Sequence, residues 1–212
     1  MGVFRSLIFD GLHKSVGNIV MYTSRGRAIV RGKPLSVHNP RTAAQQAARM
    51  RFRVATRLAA VFEDLLPLGF PAPYAADSRG AFVGENINRL EMDGDGNVVV
   101  DFRRLALSAG KQVPPLCRVR IQGNGGVAES FAQPLSAYAM RDDRVYVVLW
   151  ETEDDAAFLL DLGTRGAPAT QAFEFLEDWR PENLFAYAFA VSASGRHASD
   201  SVLLMAEGVA ED

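Results

Sequence analysis

In the stretch DGDGN, Asp93, Asp95 and Asn97 place oxygen-bearing side chains at alternate positions, the spacing with which a calcium loop opens. Such a loop needs glycine at its sixth position for the sharp turn and a bidentate glutamate at its twelfth. Here those positions hold Val98 and Arg104, so the stretch reads as a turn. Cys117 is the single cysteine, which excludes an intrachain disulfide and a Cys-x-x-Cys zinc pair. Within the apolar run PPLCRVRIQ it reads as a core thiol and a poor nucleophile. His13, His38 and His197 stand far apart and in no metal-ligand spacing. The glycines of QGNGGVAES lack the Lys-Ser/Thr ending of a phosphate loop, and SASGR has the wrong order for a nucleophile elbow. Glu151, Glu153, Asp154 and Asp155 sit side by side in WETEDDAAF and read as a solvated acidic turn. No catalytic, cofactor-binding or metal residue is assigned, and no enzyme activity is expected.

The remaining chemistry is positive charge. Residues 1–60 hold eleven basic side chains against Asp10 alone, whereas the rest of the chain holds twelve against twenty-four acidic ones. A net charge of -2 hides this polarity, which calls for a polyanionic partner or for contact between the two halves of the same or neighbouring chains. Arg49, Arg53 and Arg57 recur every fourth residue, so on a helix they form a row of about 12 Å along one flank. Arg25, Arg27, Arg31 and Arg41 precede them.

These side chains need elements to carry them. NIVMYTSRGRAIVR reads as two β-branched strands around SRGR, a hairpin whose Ile19, Val20, Ile29 and Val30 would dock on something, since an arm at this position has little core of its own. NPRTAAQ places Thr42 and Gln45 at capping-box spacing, so a helix is expected from about Thr42 to about Leu66, where PLGFPAP must end it. Ala47, Met50, Val54, Leu58, Val61 and Leu65 give that helix an apolar stripe. A second short helix is expected over Ala81–Leu90 and a hairpin around DGDGN.

After Pro114 and Pro115, seven short apolar runs are separated by turn residues: 116–122, 127–131, 145–150, 157–162, 172–176, 185–191 and 202–206. That pattern predicts an α+β protein with two parts. Residues 1–113 would hold the hairpin arm, the basic helix and a connecting β-hairpin; residues 114–212 would form an antiparallel, immunoglobulin-like β-sandwich. No stretch approaches the roughly 20 apolar residues of a membrane helix. Arg5, Asp10, His13 and Lys14 interrupt any secretory leader, so cytoplasmic synthesis is expected, with release inside a particle as a further possibility.

The segment from Lys14 through Phe52 resembles the front of an uncharacterised Bacteroidetes family grouped as a domain of unknown function. The likeness rests on Gly17 and Asn18, on Arg31, Lys33 and Pro34, and on Asn39, Pro40, Arg41, Thr42, Ala44 and Gln45. It continues in VVVDFRRLALSAGKQVPP and in FAYAFAVSASGRHASDSVLLM, which resembles the family's final hairpin. The resemblance implies no activity and transfers no catalytic residue. A similar Asn-Pro-x-Thr-x-Ala-Gln segment in phage and prophage proteins points toward particle components. The expectation is therefore a structural or adaptor subunit that pairs with copies of itself or with a particle protein. Its contact would be made by Arg25, Arg27, Arg31, Arg41, Arg49, Arg53 and Arg57 with the hairpin residues, meeting an acidic β-domain. The alternative is a nucleic-acid-associated protein using the same arginines.

Overall fold

The structure is a computed structural model and describes residues 2–3, 14–24, 26–36, 39–72, 77–176, 179–204 and 206–208. The chain divides into two compact units, 1–42 and 43–212.

In the first unit, strands β1 (Gly2–Val3), β2 (Lys14–Val16), β3 (Ile19–Ser24) and β4 (Arg27–Gly32) form one antiparallel sheet in the order β1-β4-β3-β2. The expected hairpin is present as β3–β4. Its tight connection needs Gly26 at φ +72°, a left-handed conformation that glycine adopts without a Cβ clash. Two strands that composition did not announce extend it, one on each edge.

The second unit begins with α1 (Ala43–Val61), α2 (Leu66–Gly69) and α3 (Ser78–Asn86). The long helix stops five residues short of Leu66. Turns over 62–65 follow, with Leu65 N–H donating to Phe62 O, and Pro67 then sits in the first turn of α2, where its missing N–H is not needed. The second helix is displaced toward the amino terminus from the expected 81–90, starting after Asp77 and ending at Asn86. Strands β5 (Glu91–Met92) and β6 (Val98–Val99) make the DGDGN hairpin, and a 3-10 turn follows at Phe102–Arg104.

Strands β7 (Cys117–Gln122), β8 (Gly125–Ser130), β9 (Arg144–Glu151), β10 (Ala156–Thr164), β11 (Ala169–Glu174), β12 (Leu184–Val191), β13 (Val202–Leu204) and β14 (Ala206–Gly208) build two four-stranded sheets. One has the order β10-β9-β12-β13 and is antiparallel throughout; the other is β11-β8-β7-β14, whose β7–β14 pair is parallel. The protein is thus α+β, as expected.

Strand β9 explains the packing. Its residues from Val145 to Glu151 are all buried, because the sheet it centres is covered on both faces. Val145, Val147 and Leu149 join Val119, Ala128 and Phe173 of the other sheet in one hydrophobic cluster. Tyr146, Val148 and Trp150 point the opposite way, into a cluster with Leu58, Phe62, Phe70 and Phe82 of the helical segment. The Phe62 ring meets Trp150 edge-on at 5.1 Å and 78°. This second cluster crosses the expected boundary at 113/114. An amphipathic helix shows in sequence that it has a partner, but not which sheet face is the partner; here it is the back of the β9–β12 sheet.

Candidate functional site

The basic residues separate into two groups. On β4, Arg27 and Arg31 are exposed, and the Arg31 guanidinium lies 5.8 Å from the centre of the Tyr22 ring on the adjacent strand. Val20, Ile29 and Val30 are half-buried and Ile19 is exposed; no described side chain of this unit is buried. Arg41 is exposed and its backbone is left-handed, at φ +49°. Arg25 lies outside the described residues.

On α1, Arg49, Arg53 and Arg57 share the exposed flank, opposite Ala55, Leu58 and Ala59. The row is not uniform. Arg57 donates from Nε (3.1 Å) and Nη2 (2.5 Å) to Asp155 Oδ2, in the turn between β9 and β10. A basic helix meeting an acidic turn of the β-domain was expected between copies; for this arginine it occurs within one chain. Arg53 carries no ion pair among the described residues.

The acidic run is less solvated than it reads. Glu151 is fully buried, and its Oε2 accepts from the N–H groups of Glu153 and Asp154, closing the turn from inside. That turn sets Asp155 at φ +52°, a conformation Asp tolerates better than most residues, and aims it at the helix. Glu153 lies 4.0 Å from Arg180 and accepts from Asn183, while Asp154 is exposed.

The other candidates fall to structural roles. Asp93 accepts from the N–H groups of Asp95 and Asn97, which lowers its pKa, the Asn97 bonds foremost; its oxygens close a hairpin turn. Burial pushes the Cys117 thiol up to about 12, so at neutral pH it keeps its proton and is no nucleophile. His197 is exposed in the β12–β13 connection; His13 and His38 lie outside the described residues. Among the described residues no three His, Cys, Asp or Glu groups converge on a metal-sized site. A shallow groove bordered by Gln122, Asn124, Val127, Phe173 and Glu174 contains one ionisable group, Glu174.

Sequence reading also missed a buried ion pair. Arg165 and Asp143 face each other at 3.5 Å with side chains only 1% exposed. Arg165 also donates from Nη1 to Gln133 Oε1 and from Nη2 to Val113 O, each at 2.6 Å. Asp143 Oδ2 accepts from Met140 N–H at 2.9 Å. Burial raises the Asp143 pKa despite the cation beside it, and lowers that of Arg165. No local spacing announces this pair, since its members and their partners span more than fifty residues.

The model of a family of unknown function, DUF6266, matches residues 11–205. The chain belongs to that family. No curated protein and no solved structure matches this DUF6266 member. Among the described residues, no helix is long and apolar enough to cross a membrane.

Proposed function

We propose that this DUF6266 member is a structural or adaptor subunit that self-assembles or docks in a larger protein particle. The observation that carries the reading is the state of its amino-terminal sheet. Four paired strands present Ile19, Val20, Ile29 and Val30 between Arg27, Arg31 and Lys33, yet none of the described side chains of that unit is buried. A sheet whose β-branched residues lack a core of their own gains stability when a partner covers it, and its basic margin suits a partner with carboxylates. The exposed Arg53 on α1 extends the same preference to the second unit. The acidic β-domain of another copy is a partner of that chemistry, and the assembly would be a homo-oligomer.

For the β-domain we infer an immunoglobulin-like arrangement. Supporting it, the seven strands β7 to β13 divide as β11-β8-β7 and β9-β12-β13, the E-B-A and C-F-G pattern of that fold, with β10 added beside β9. A Bacteroidetes source and a phage- or prophage-derived particle are the setting that the amino-terminal motif suggests.

Light scattering coupled to sizing chromatography tests the proposal. The expected result is concentration-dependent species above 23.1 kDa that lose mass on Arg27→Glu, Arg31→Glu and Arg53→Glu. A strict monomer at high concentration overturns it. Salt-dependent retention of labelled DNA or RNA by the same arginines, without self-association, would favour the nucleic-acid reading instead.

A further inference from the structure

The two sheets of the second unit share two ends. The register pairs Arg144 with both Thr164 and Val191, and Ser130 with both Cys117 and Ala169. The connections 111–116, 131–143, 165–168 and 192–201 therefore gather at one end. At the opposite end, where Glu151 pairs with Ala156 and Leu184 and Gly125 pairs with Gln122 and Glu174, lie the turns 123–124 and 152–155 and the described residues 175–176 and 179–183.

The first end carries an unusual amount of exposed apolar surface. Val113, Leu116, Phe131, Leu135, Tyr138 and Met140 are each 37–55% exposed. They sit on two segments fastened together: Val113 N–H donates to Tyr138 O at 2.7 Å, Phe131 N–H to Leu116 O at 2.9 Å, and Gln133 Nε2 to Pro114 O at 3.2 Å. The buried Arg165–Asp143 pair ties both segments down from beneath through Val113 O, Gln133 and Met140 N–H. A buried ion pair is a costly way to stabilise a loop, but a good way to fix one conformation. Fixing an apolar surface in advance removes ordering cost from binding.

Charge says what covers it. Exposed Lys111, Arg141 and Arg196 surround this end, and Arg118 lies over the Phe131 ring at 5.5 Å; among the described residues Asp142 and Asp200 are the acids there, while Arg144 and Asp161 neutralise each other. The opposite end is acidic: Glu153, Asp154, Glu174 and Glu182 are exposed, against Arg180, and Leu176 stands among them 62% exposed. Arg57 already occupies Asp155 there.

Resting on the reading of the chain as an assembling subunit, we infer that its β-domains join end to end, the basic apolar end of one copy seated on the acidic end around Leu176 of the next. Such a contact is heterologous, so it propagates. It is separate from the amino-terminal sheet.

Complementation tests this. Leu135→Asp with Tyr138→Asp damages one end; Asp154→Arg with Glu182→Arg damages the other. All four side chains except Glu182 and Asp154 are exposed apolar groups, and none of the four is buried, so circular dichroism should match the parent. In a background of Arg27→Glu, Arg31→Glu and Arg53→Glu, which removes the amino-terminal contact, each variant alone should be monomeric by light scattering, and an equimolar mixture should yield a species of twice the monomer mass and nothing larger. The inference is overturned if either variant assembles like the parent, or if the mixture stays monomeric. Parent oligomers that respond only to reversal of Arg27, Arg31 and Arg53 would overturn this contact and leave the proposed function standing; a monomeric parent overturns both.

Discussion

Arg57 and Asp155, 98 residues apart in sequence, are joined by two hydrogen bonds that fasten the basic flank of α1 to the acidic β9–β10 turn of the same chain. The charge polarity evident in the sequence is thus partly satisfied inside one molecule. Under the proposed assembly, the arginines offered to a partner are Arg53 on the helix and Arg27 and Arg31 on the amino-terminal sheet.

The pair should matter little for stability. The Arg57 side chain is 76% exposed, and exposed ion pairs contribute about 0–1 kcal/mol and weaken with salt. In a double-mutant cycle of Arg57→Ala and Asp155→Asn, followed by urea unfolding, a coupling below about 1 kcal/mol is expected, vanishing at high ionic strength. A larger, salt-resistant coupling would show that the contact is a structural anchor.

The Arg165–Asp143 pair should behave in the opposite way. Arg165→Ala leaves a buried carboxylate without its counter-charge and the Val113 carbonyl without its donor, so a loss of about 3–5 kcal/mol is expected. The pH dependence has a definite sign. Burial raises the Asp143 pKa, so as pH climbs above the ordinary value of 3.8 the unfolded chain releases this proton before the folded chain does. Stability relative to Asp143→Asn should therefore fall as pH rises from that point. Chemical unfolding of both proteins across the acid range measures the difference; a rising one would contradict the assignment.

Cys117 offers a second titration with a known window. Above 9.0 the unfolded thiol ionises, whereas the folded thiol holds its proton to about 12. Its contribution to stability is complete below 9.0 and is lost through that interval. Cys117→Ala should flatten the alkaline decline in unfolding free energy by that component, and native protein should react slowly with a thiol reagent at neutral pH.

Much of the fold was legible because its signals are local. VYVVLW declares a strand by its β-branched and aromatic run, DGDGN declares a turn, and the apolar stripe from Ala47 to Leu58 declares which side of α1 is buried. What stayed hidden is long-range. The run VYVVLW does not say that its odd and even residues enter two different clusters, and nothing near Phe62 says that Trp150 receives it. The candidate contact residues were legible as charges, but occupancy was not: only the fold brings Asp155 to Arg57.

Asn86 is a hidden residue of this kind and supports the sharpest structural test. It ends α3, is fully buried, and donates from Nδ2 to Phe82 O (2.9 Å) and Ala106 O (2.8 Å) while Oδ1 accepts from Ala106 N–H (2.8 Å). It thereby supplies both polar groups of Ala106 with partners and holds segment 105–109, including Leu107, under the helices. Asn86→Ala strands those groups in the interior, where each unpaired one costs roughly 1–3 kcal/mol. Asn86→Asp should be worse at neutral pH, because its second oxygen would confront two carbonyl oxygens. As pH falls the acid regains a proton to donate, so the gap between Asp and Ala should narrow or reverse. Urea unfolding of the three proteins at neutral and acidic pH decides it; equal stabilities throughout would mean that water replaces the amide.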